Sequence, residues 1–165
     1  MINLKPRFYI IMGVSGSGKT AVGKALAREL GWSFFDADDF HPASNIKKMA
    51  NGIPLTDEDR APWLNTLHVL IANALTEAHP GVLACSALKE KYRQVLSTSS
   101  TDVQVVYLKG SYDLIWSRMS ARAGHYMQPA MLRSQFEILE EPDEALTIDI
   151  DRSVEDIVDL ILSQG

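Results

Sequence analysis

The segment that most constrains this chain is FYIIMGVSGSGKT, residues 8–20, in which an apolar run passes directly into a glycine-rich turn. Gly13, Gly18, Lys19 and Thr20 complete the pattern G-x-x-x-x-G-K-[ST] within it. A loop of this kind curls successive backbone N–H groups around a phosphate, between a buried strand and a helix. The pattern therefore predicts a phosphate-binding loop (P-loop) and a nucleotide site.

We expect the residues of the P-loop to have different roles in binding phosphate and Mg²⁺. Glycines at three positions permit the turns and the close approach of the backbone to a phosphate. Lys19 is expected to reach the β- and γ-phosphates, and Thr20 to place its hydroxyl on Mg²⁺. The following helix would direct its positive dipole end at the anion. The predicted nucleotide-binding residues of the loop are Gly13, Val14, Ser15, Gly16, Ser17, Gly18, Lys19 and Thr20.

Apolar, strand-like runs alternate with helical patterns along the chain, which predicts an α/β fold with a parallel sheet covered by helices on both faces. The length of 165 residues, without an internal repeat, favours a single domain over residues 1–165. Together with the P-loop, this predicts a three-layer P-loop NTPase fold. The predicted strands are Phe8 to Met12, Ser33 to Phe35, Val82 to Cys85, Val103 to Leu108 and Leu146 to Ile150.

The composition of the chain indicates which classes of partner it binds. A net charge of −5 argues against broad nucleic-acid binding, so any anion site must be built locally. No apolar run approaches the roughly 20 residues that a membrane-spanning helix needs. Cys85 is the only cysteine, so no internal disulfide can form, which fits a reducing, cytoplasmic compartment. We therefore expect a small-molecule substrate and neither a nucleic acid nor a membrane as partner.

An acidic turn, residues 36–39, follows the second predicted strand. Ligands of parallel α/β sheets lie beyond the carboxyl ends of the strands, so Asp36 and Asp38 should lie near the P-loop. These carboxylates could hold Mg²⁺ or accept a proton from an attacking hydroxyl, while helix capping is the structural alternative. The third strand ends at Cys85 without a carboxylate, so a metal-orienting aspartate should be Asp36 or Asp38.

Two segments after the acidic turn carry charges whose roles the sequence leaves open. The first is a short helix from Ser44 to Gly52 with paired lysines, a pattern typical of a solvated face. In the second, Pro62 predicts that a helix starts near Arg60, because proline suits a first turn. Capping explains Asp59, yet it does not require Arg60 and Trp63 beside it. The sequence leaves a structural role and a binding role equally open for Asp59 and Arg60.

A segment near residues 119–130 has the composition of a small lid. Arg118 lies on an amphipathic helix predicted from Tyr112 to Ala121, and Arg122 follows in a polar connection that contains Gly124. Arginine and glycine between two helices are typical of a lid that closes over a nucleotide, and ion pairing is the structural alternative.

The blocks GVSGSGKT, DADDFHP, NIKKM, PLTDEDRAPWL, CSALKEKYR, GHYM and SQFEILEEP lie in order between residues 13 and 142. In combination they resemble the gluconokinase family of small P-loop carbohydrate kinases. The resemblance implies ATP- and Mg²⁺-dependent phosphorylation of D-gluconate to 6-phosphogluconate. It also implies a fold like shikimate and nucleoside monophosphate kinases, and a homodimer. One departure is Ala37, where the family pattern leads us to expect glycine.

By the same resemblance, residues outside the P-loop acquire expected roles. Asp38 would be the base or orienting residue for the reacting hydroxyl, and Asp36 would lie by Mg²⁺. Arg118 and Arg122 would belong to the nucleotide and the lid, with Arg122 and Lys19 catalytic beside Asp38. The residues expected to contact the polyol and its carboxylate are Asp38, His41, Lys48, Asp59, Arg60, Arg93 and Gln135.

Two other functions remain as alternatives. A small kinase for another hydroxy acid, such as a shikimate-like substrate, would share the loop and the carboxylates. A nucleotide-binding module without kinase activity would need only the loop, and the chain contains no N-K-x-D motif for reading guanine.

Overall fold

The computed structural model describes residues 5–97, 101–121 and 129–164. In these ranges five strands form one all-parallel sheet in the order β2-β3-β1-β4-β5. The predicted parallel α/β sheet is therefore confirmed, and each strand end lies within one residue of its predicted position. The strands are β1 (Phe8–Met12), β2 (Ser33–Asp36), β3 (Gly81–Ala84), β4 (Val103–Lys109) and β5 (Leu146–Asp149).

Helices connect the strands and cover both faces of the sheet. A short 3₁₀ turn, Ala37–Phe40, directly follows β2. The helices are α1 (Lys19–Leu30), α2 (Ala43–Ala50), α3 (Asp57–Thr76), α4 (Glu90–Ser97), α5 (Tyr112–Ser120), α6 (Pro129–Ile138) and α7 (Val154–Gln164).

The central strand β1 has side chains in both halves of the core, because successive residues of a strand point to opposite faces. Phe8, Ile10 and Met12 pack in one cluster with residues of α3 and α4. Tyr9 and Ile11 pack in the other, with residues of α1, α5, α6 and α7. All five residues of β1 are buried, so the strand that carries the P-loop is covered on both faces of the sheet.

The start of α3 differs from the prediction. The helix begins at Asp57, three residues before Arg60, with Thr56 as its N-cap. Asp59 N–H donates to Thr56 Oγ1 at 3.1 Å, and Thr56 N–H donates to the Asp59 carboxylate at 2.9 Å. This capping box pairs two N–H groups that would otherwise lack partners. It outweighs the preference of Pro62 for the first turn, and the expectation based on proline was wrong.

The predicted lid falls mostly on residues 122–128, which lie outside the described residues, so the lid stays a prediction. The helices on either side of this segment, α5 and α6, are described. Within the described ranges, no helix combines the length and the apolar character that crossing a bilayer requires.

Candidate active site

The strand order brings the P-loop and the acidic turn to the same edge of the sheet. β3 lies between β1 and β2, so the loops that leave those two strands flank the residue that follows β3. That residue, Cys85, is buried and lies within electrostatic reach of Lys19, Asp38 and Asp36. Burial raises the pKa of its thiol to about 12, which keeps the thiol protonated and agrees with a packing role.

The P-loop adopts the turns that its glycines permit, with φ of 155°, 80° and 96° at residues 13, 16 and 18. At Gly13 the space is also limiting, since a Cβ there would lie 2.6 Å from Ser17 Oγ and 3.1 Å from the Leu108 carbonyl oxygen. Ser17 N–H and Lys19 Nζ both donate to the Val14 carbonyl, at 3.2 and 3.0 Å. The loop is therefore curled on itself, with Gly18 as the N-cap of α1.

Lys19 and Asp38, which the prediction required to share one site, influence each other electrostatically. Burial lowers the pKa of the Lys19 ammonium, and the nearby Asp38 and Asp36 carboxylates oppose that shift. Loss of hydration raises the pKa of Asp38, the Asp36 charge raises it further, and Lys19 opposes both effects. A cation and two carboxylates thus converge at the carboxyl ends of β1 and β2.

Asp36 and Thr20 offer oxygen donors next to the P-loop. Thr20 Oγ1 lies 3.4 Å from Asp36 Oδ2, and Asp36 Oδ1 accepts from the Asp38 N–H at 3.0 Å. Among the described residues no cluster of three or more His, Cys, Asp or Glu side chains could hold a metal by itself. One hydroxyl and one carboxylate fit Mg²⁺ bound to a nucleotide, because Mg²⁺ keeps several waters and takes phosphate oxygens as ligands.

A tryptophan of α3 supports the acidic turn. Trp63 is buried, and its Nε1 donates to the Ala37 carbonyl at 2.7 Å, between Asp36 and Asp38 of the turn. Its ring stacks on His41 with centroids 4.2 Å apart and an interplanar angle of 11°. Burial lowers the pKa of His41, which favours the neutral imidazole. Ala37 itself is buried, so the methyl group is accommodated beside this contact.

Lys48 and Asp59, both predicted to contact substrate, are paired with each other. Lys48 Nζ lies 2.8 and 2.9 Å from the two Asp59 carboxylate oxygens. The pKa of Asp59 falls to about 2, mainly through Lys48 and then through the Thr56 N–H. Buried Asn45 connects this pair to His41, two residues after the acidic turn, since its Nδ2 donates to the Asp59 carbonyl at 2.8 Å and lies 3.3 Å from His41 Nδ1.

Arg60 lies close enough to His41 to lower the pKa of the imidazole, although burial is the larger cause. Its Nη1 donates to the Leu55 carbonyl at 2.9 Å and to Tyr92 Oη at 3.3 Å, and its guanidinium lies over the Tyr92 ring. The Tyr92 hydroxyl in turn donates to Asp57. The structure therefore places Arg60 beside His41, at the N-terminal end of α3.

Arg93 is buried, and its guanidinium donates hydrogen bonds to acceptors within the protein. It donates to the Ala87 carbonyl at 2.7 Å, to the Glu140 carbonyl at 2.8 Å and to the Glu90 carboxylate at 2.9 Å. Ala87 has φ of 45°, a left-handed conformation that costs free energy for a residue other than glycine. In the described structure Arg93 therefore stabilises the turn after β3, and its predicted contact with substrate is untested.

The remaining predicted residues lie on the other side of the P-loop. Arg118 Nη2 donates to the Ile150 carbonyl at 2.7 Å, at the end of β5. Gln135, on α6, is hydrogen-bonded to Ser15 of the P-loop. Arg122 lies outside the described residues. The structure thus brings His41 and Arg60 to the acidic turn, whereas Arg118 and Gln135 lie with the P-loop and β5.

Sequence reasoning missed Trp63 and Asn45 as supports of the acidic turn. The proximity of Trp63 to Asp59 drew attention, but its contact with Ala37 spans 26 residues and leaves no local pattern. Asn45 lies in the NIKKM block, where the adjacent lysines were the more visible feature.

A P-loop at the end of β1, facing carboxylates at the end of β2, defines the class of this protein as a P-loop kinase. The sequence model of the shikimate kinase family matches residues 15–161. Individual relatives identify a narrower family than this model does. Because gluconokinases are 41–44% identical to this chain over more than 90% of its length, the chain belongs to the gluconokinase family.

Three relatives illustrate the match. A probable gluconokinase of Mus musculus is 43% identical and covers 95% of this chain and 96% of its own length. The thermosensitive gluconokinase of Escherichia coli K12 is 44% identical, over 92% of this chain and 83% of its own. The crystal structure of a gluconokinase from Sinorhizobium meliloti superposes with a TM-score of 0.84 at 41% identity, covering 96% of this chain and 90% of that one.

Proposed function

We propose that this protein transfers the γ-phosphoryl group of ATP to the terminal hydroxyl of D-gluconate, giving 6-phosphogluconate and ADP. The observation that carries the proposal is the convergence of Lys19 and Asp38 at one edge of the sheet. The similarity to gluconokinases along almost the whole chain supports gluconate as the acceptor.

The P-loop side of the site would bind the nucleotide. The N–H groups of the loop and the N-terminus of α1 would hold the phosphates. Lys19 would leave the Val14 carbonyl for the β- and γ-phosphates. Thr20 and Asp36 would hold Mg²⁺, which would neutralise phosphate charge. Arg118 of α5, whose guanidinium reaches the end of β5, and Arg122 are proposed to contact the nucleotide.

The acidic turn would orient the acceptor. Asp38 would accept the proton of the terminal hydroxyl as its oxygen bonds to the γ-phosphorus and ADP leaves. The raised pKa of Asp38 suits that task, because a carboxylate that binds protons more tightly is a better base. His41 and Arg60 lie beside this turn, and Lys48, Asp59 and Arg93 complete the proposed acceptor contacts.

A substrate panel with coupled detection of ADP tests the proposed acceptor. We expect kcat/KM for D-gluconate to exceed that for shikimate at least about 100-fold, because a site built to bind several hydroxyls rejects a poor match strongly. The same assay with the Lys19→Met variant excludes a contaminating kinase. A preference for another hydroxy acid would overturn the gluconate assignment, and tight ATP binding without any phosphorylated acid would favour the binding module.

Replacing Trp63 tests the support of the acidic turn. Trp63→Phe keeps a ring against His41 but leaves the buried Ala37 carbonyl without its donor, which costs about 1–3 kcal/mol. We expect kcat/KM for gluconate to fall about tenfold, while the Kd for ATP stays within about twofold, measured by steady-state kinetics and calorimetry. Trp32→Phe, at the opposite end of β2, is the matched control. An equal loss of ATP affinity would show a general loss of structure instead.

Three finer expectations accompany the proposal. The family resemblance supports a Mg²⁺ requirement and a homodimer, and the single cysteine, which is buried, supports a cytoplasmic location.

A further inference from the structure

The P-loop is tied to the distant helix α6 by a reciprocal pair of hydrogen bonds. Ser15 N–H donates to Gln135 Oε1 at 2.8 Å, and Gln135 Nε2 donates to Ser15 Oγ at 2.9 Å. An N–H group can only donate, so the carboxamide has one orientation that satisfies both contacts. One side chain thus binds the backbone and the hydroxyl of the same loop residue, across 120 positions of sequence.

The next residue of the loop is held from α5. A Cβ at Gly16 would lie 2.5 Å from Met119 Cγ and 2.6 Å from Met119 Sδ, so the Gly16 backbone packs directly on this buried side chain. Two consecutive loop residues are therefore in contact with two different helices. Glycine gives the loop its conformational freedom, and these contacts remove part of that freedom before a ligand binds.

We propose that Gln135 is a positioning residue of the P-loop. By holding Ser15, it keeps the following part of the loop, Gly16 to Thr20, in the curled conformation that binds the nucleotide, so its effect is on nucleotide binding. This differs from the contact with the polyol that the family resemblance implies for Gln135. The inference rests on nucleotide binding by the P-loop and not on the identity of the acceptor.

Gln135→Met tests the proposal, because methionine has a similar length and shape but makes neither hydrogen bond. We expect the Kd for ATP, measured by calorimetry without gluconate, to rise about tenfold, as two hydrogen bonds of ordinary strength are lost. The KM for gluconate at saturating ATP should change less than about twofold. Since ATP binding is measured alone, a wrong acceptor assignment would not affect this result.

A double-mutant cycle separates positioning from general stability. Ser15→Ala removes one of the two hydrogen bonds, so Gln135→Met should raise the Kd for ATP less in the Ser15→Ala background than in the native protein. If Gln135→Met does not fold, Ser15→Ala alone must still raise the Kd about threefold. Glu137→Ala, an exposed position two residues further along α6, is the matched control and should leave the Kd unchanged.

Three results would contradict a positioning role for Gln135. A raised KM for gluconate with an unchanged Kd for ATP would assign Gln135 to the acceptor. A lower melting temperature with unchanged Kd and KM would make the pair a purely structural contact. Additive effects of the two substitutions on the Kd would also overturn it.

Discussion

Lys19→Met is expected to reduce kcat at least about 100-fold, which is the typical cost of removing one donor from a developing phosphoryl or oxyanion charge. The fold should persist. Burial already lowers the pKa of Lys19, which means that the charged form is less stable in the folded protein than in water. Methionine removes that cost together with the hydrogen bond to Val14. Kinetics and thermal unfolding without ligand measure the two effects.

The matched control is Lys24→Met, on the exposed side of the same helix, with its ammonium over the Phe34 ring. We expect nearly native kcat from this variant. A domain of this size loses about 3 °C of melting temperature for each kcal/mol. A drop of more than about 10 °C in ligand-free Lys19→Met would contradict a role confined to bound phosphate.

Asp38→Asn is expected to reduce kcat by about 10²–10⁴-fold, the usual contribution of a general base, with little change in the Kd for ATP. The carboxamide keeps the shape of the side chain but cannot accept the hydroxyl proton. Steady-state kinetics with gluconate and calorimetry with ATP separate the two quantities. Asp39→Asn, the exposed neighbour in the same turn, is the matched control and should retain most of kcat.

The raised pKa of Asp38 also predicts how Asp38→Asn affects the melting temperature. The folded protein raises that pKa, so the ionised carboxylate destabilises the fold at pH values above the folded pKa, and the cost disappears as pH falls to the unfolded value near 3.9. Removing the charge should therefore leave the melting temperature at pH 7 unchanged or raised. Unchanged kcat in Asp38→Asn would remove Asp38 from the proton-accepting role.

Most of the secondary structure could be predicted from local pattern. The strand β1 and the P-loop depend on consecutive apolar residues and on glycines at fixed spacing, and both are read within 13 residues. The exception was the start of α3, where two local rules competed. A capping box between Thr56 and Asp59 satisfies backbone donors, and its stabilisation exceeded the preference of Pro62 for a first turn.

The partners of the charged site residues could not be predicted from the sequence. Nothing near Lys48 or Asp59 shows that they pair with each other, or that Arg93 holds Ala87 and Glu140. Such contacts join residues of different elements, and their geometry depends on how helices pack on the sheet. The spacing of these residues along the chain does not indicate how the helices pack.

Most of the elements, the phosphate-binding loop and the residue types around it follow from local sequence, because each of these depends on neighbours within a turn or a strand. The folded chain was needed to show that β3 lies between β1 and β2, so that the acidic turn faces Lys19, and that Gln135 reaches Ser15. Strand order follows from the burial of both faces of the sheet, which is a property of the whole chain.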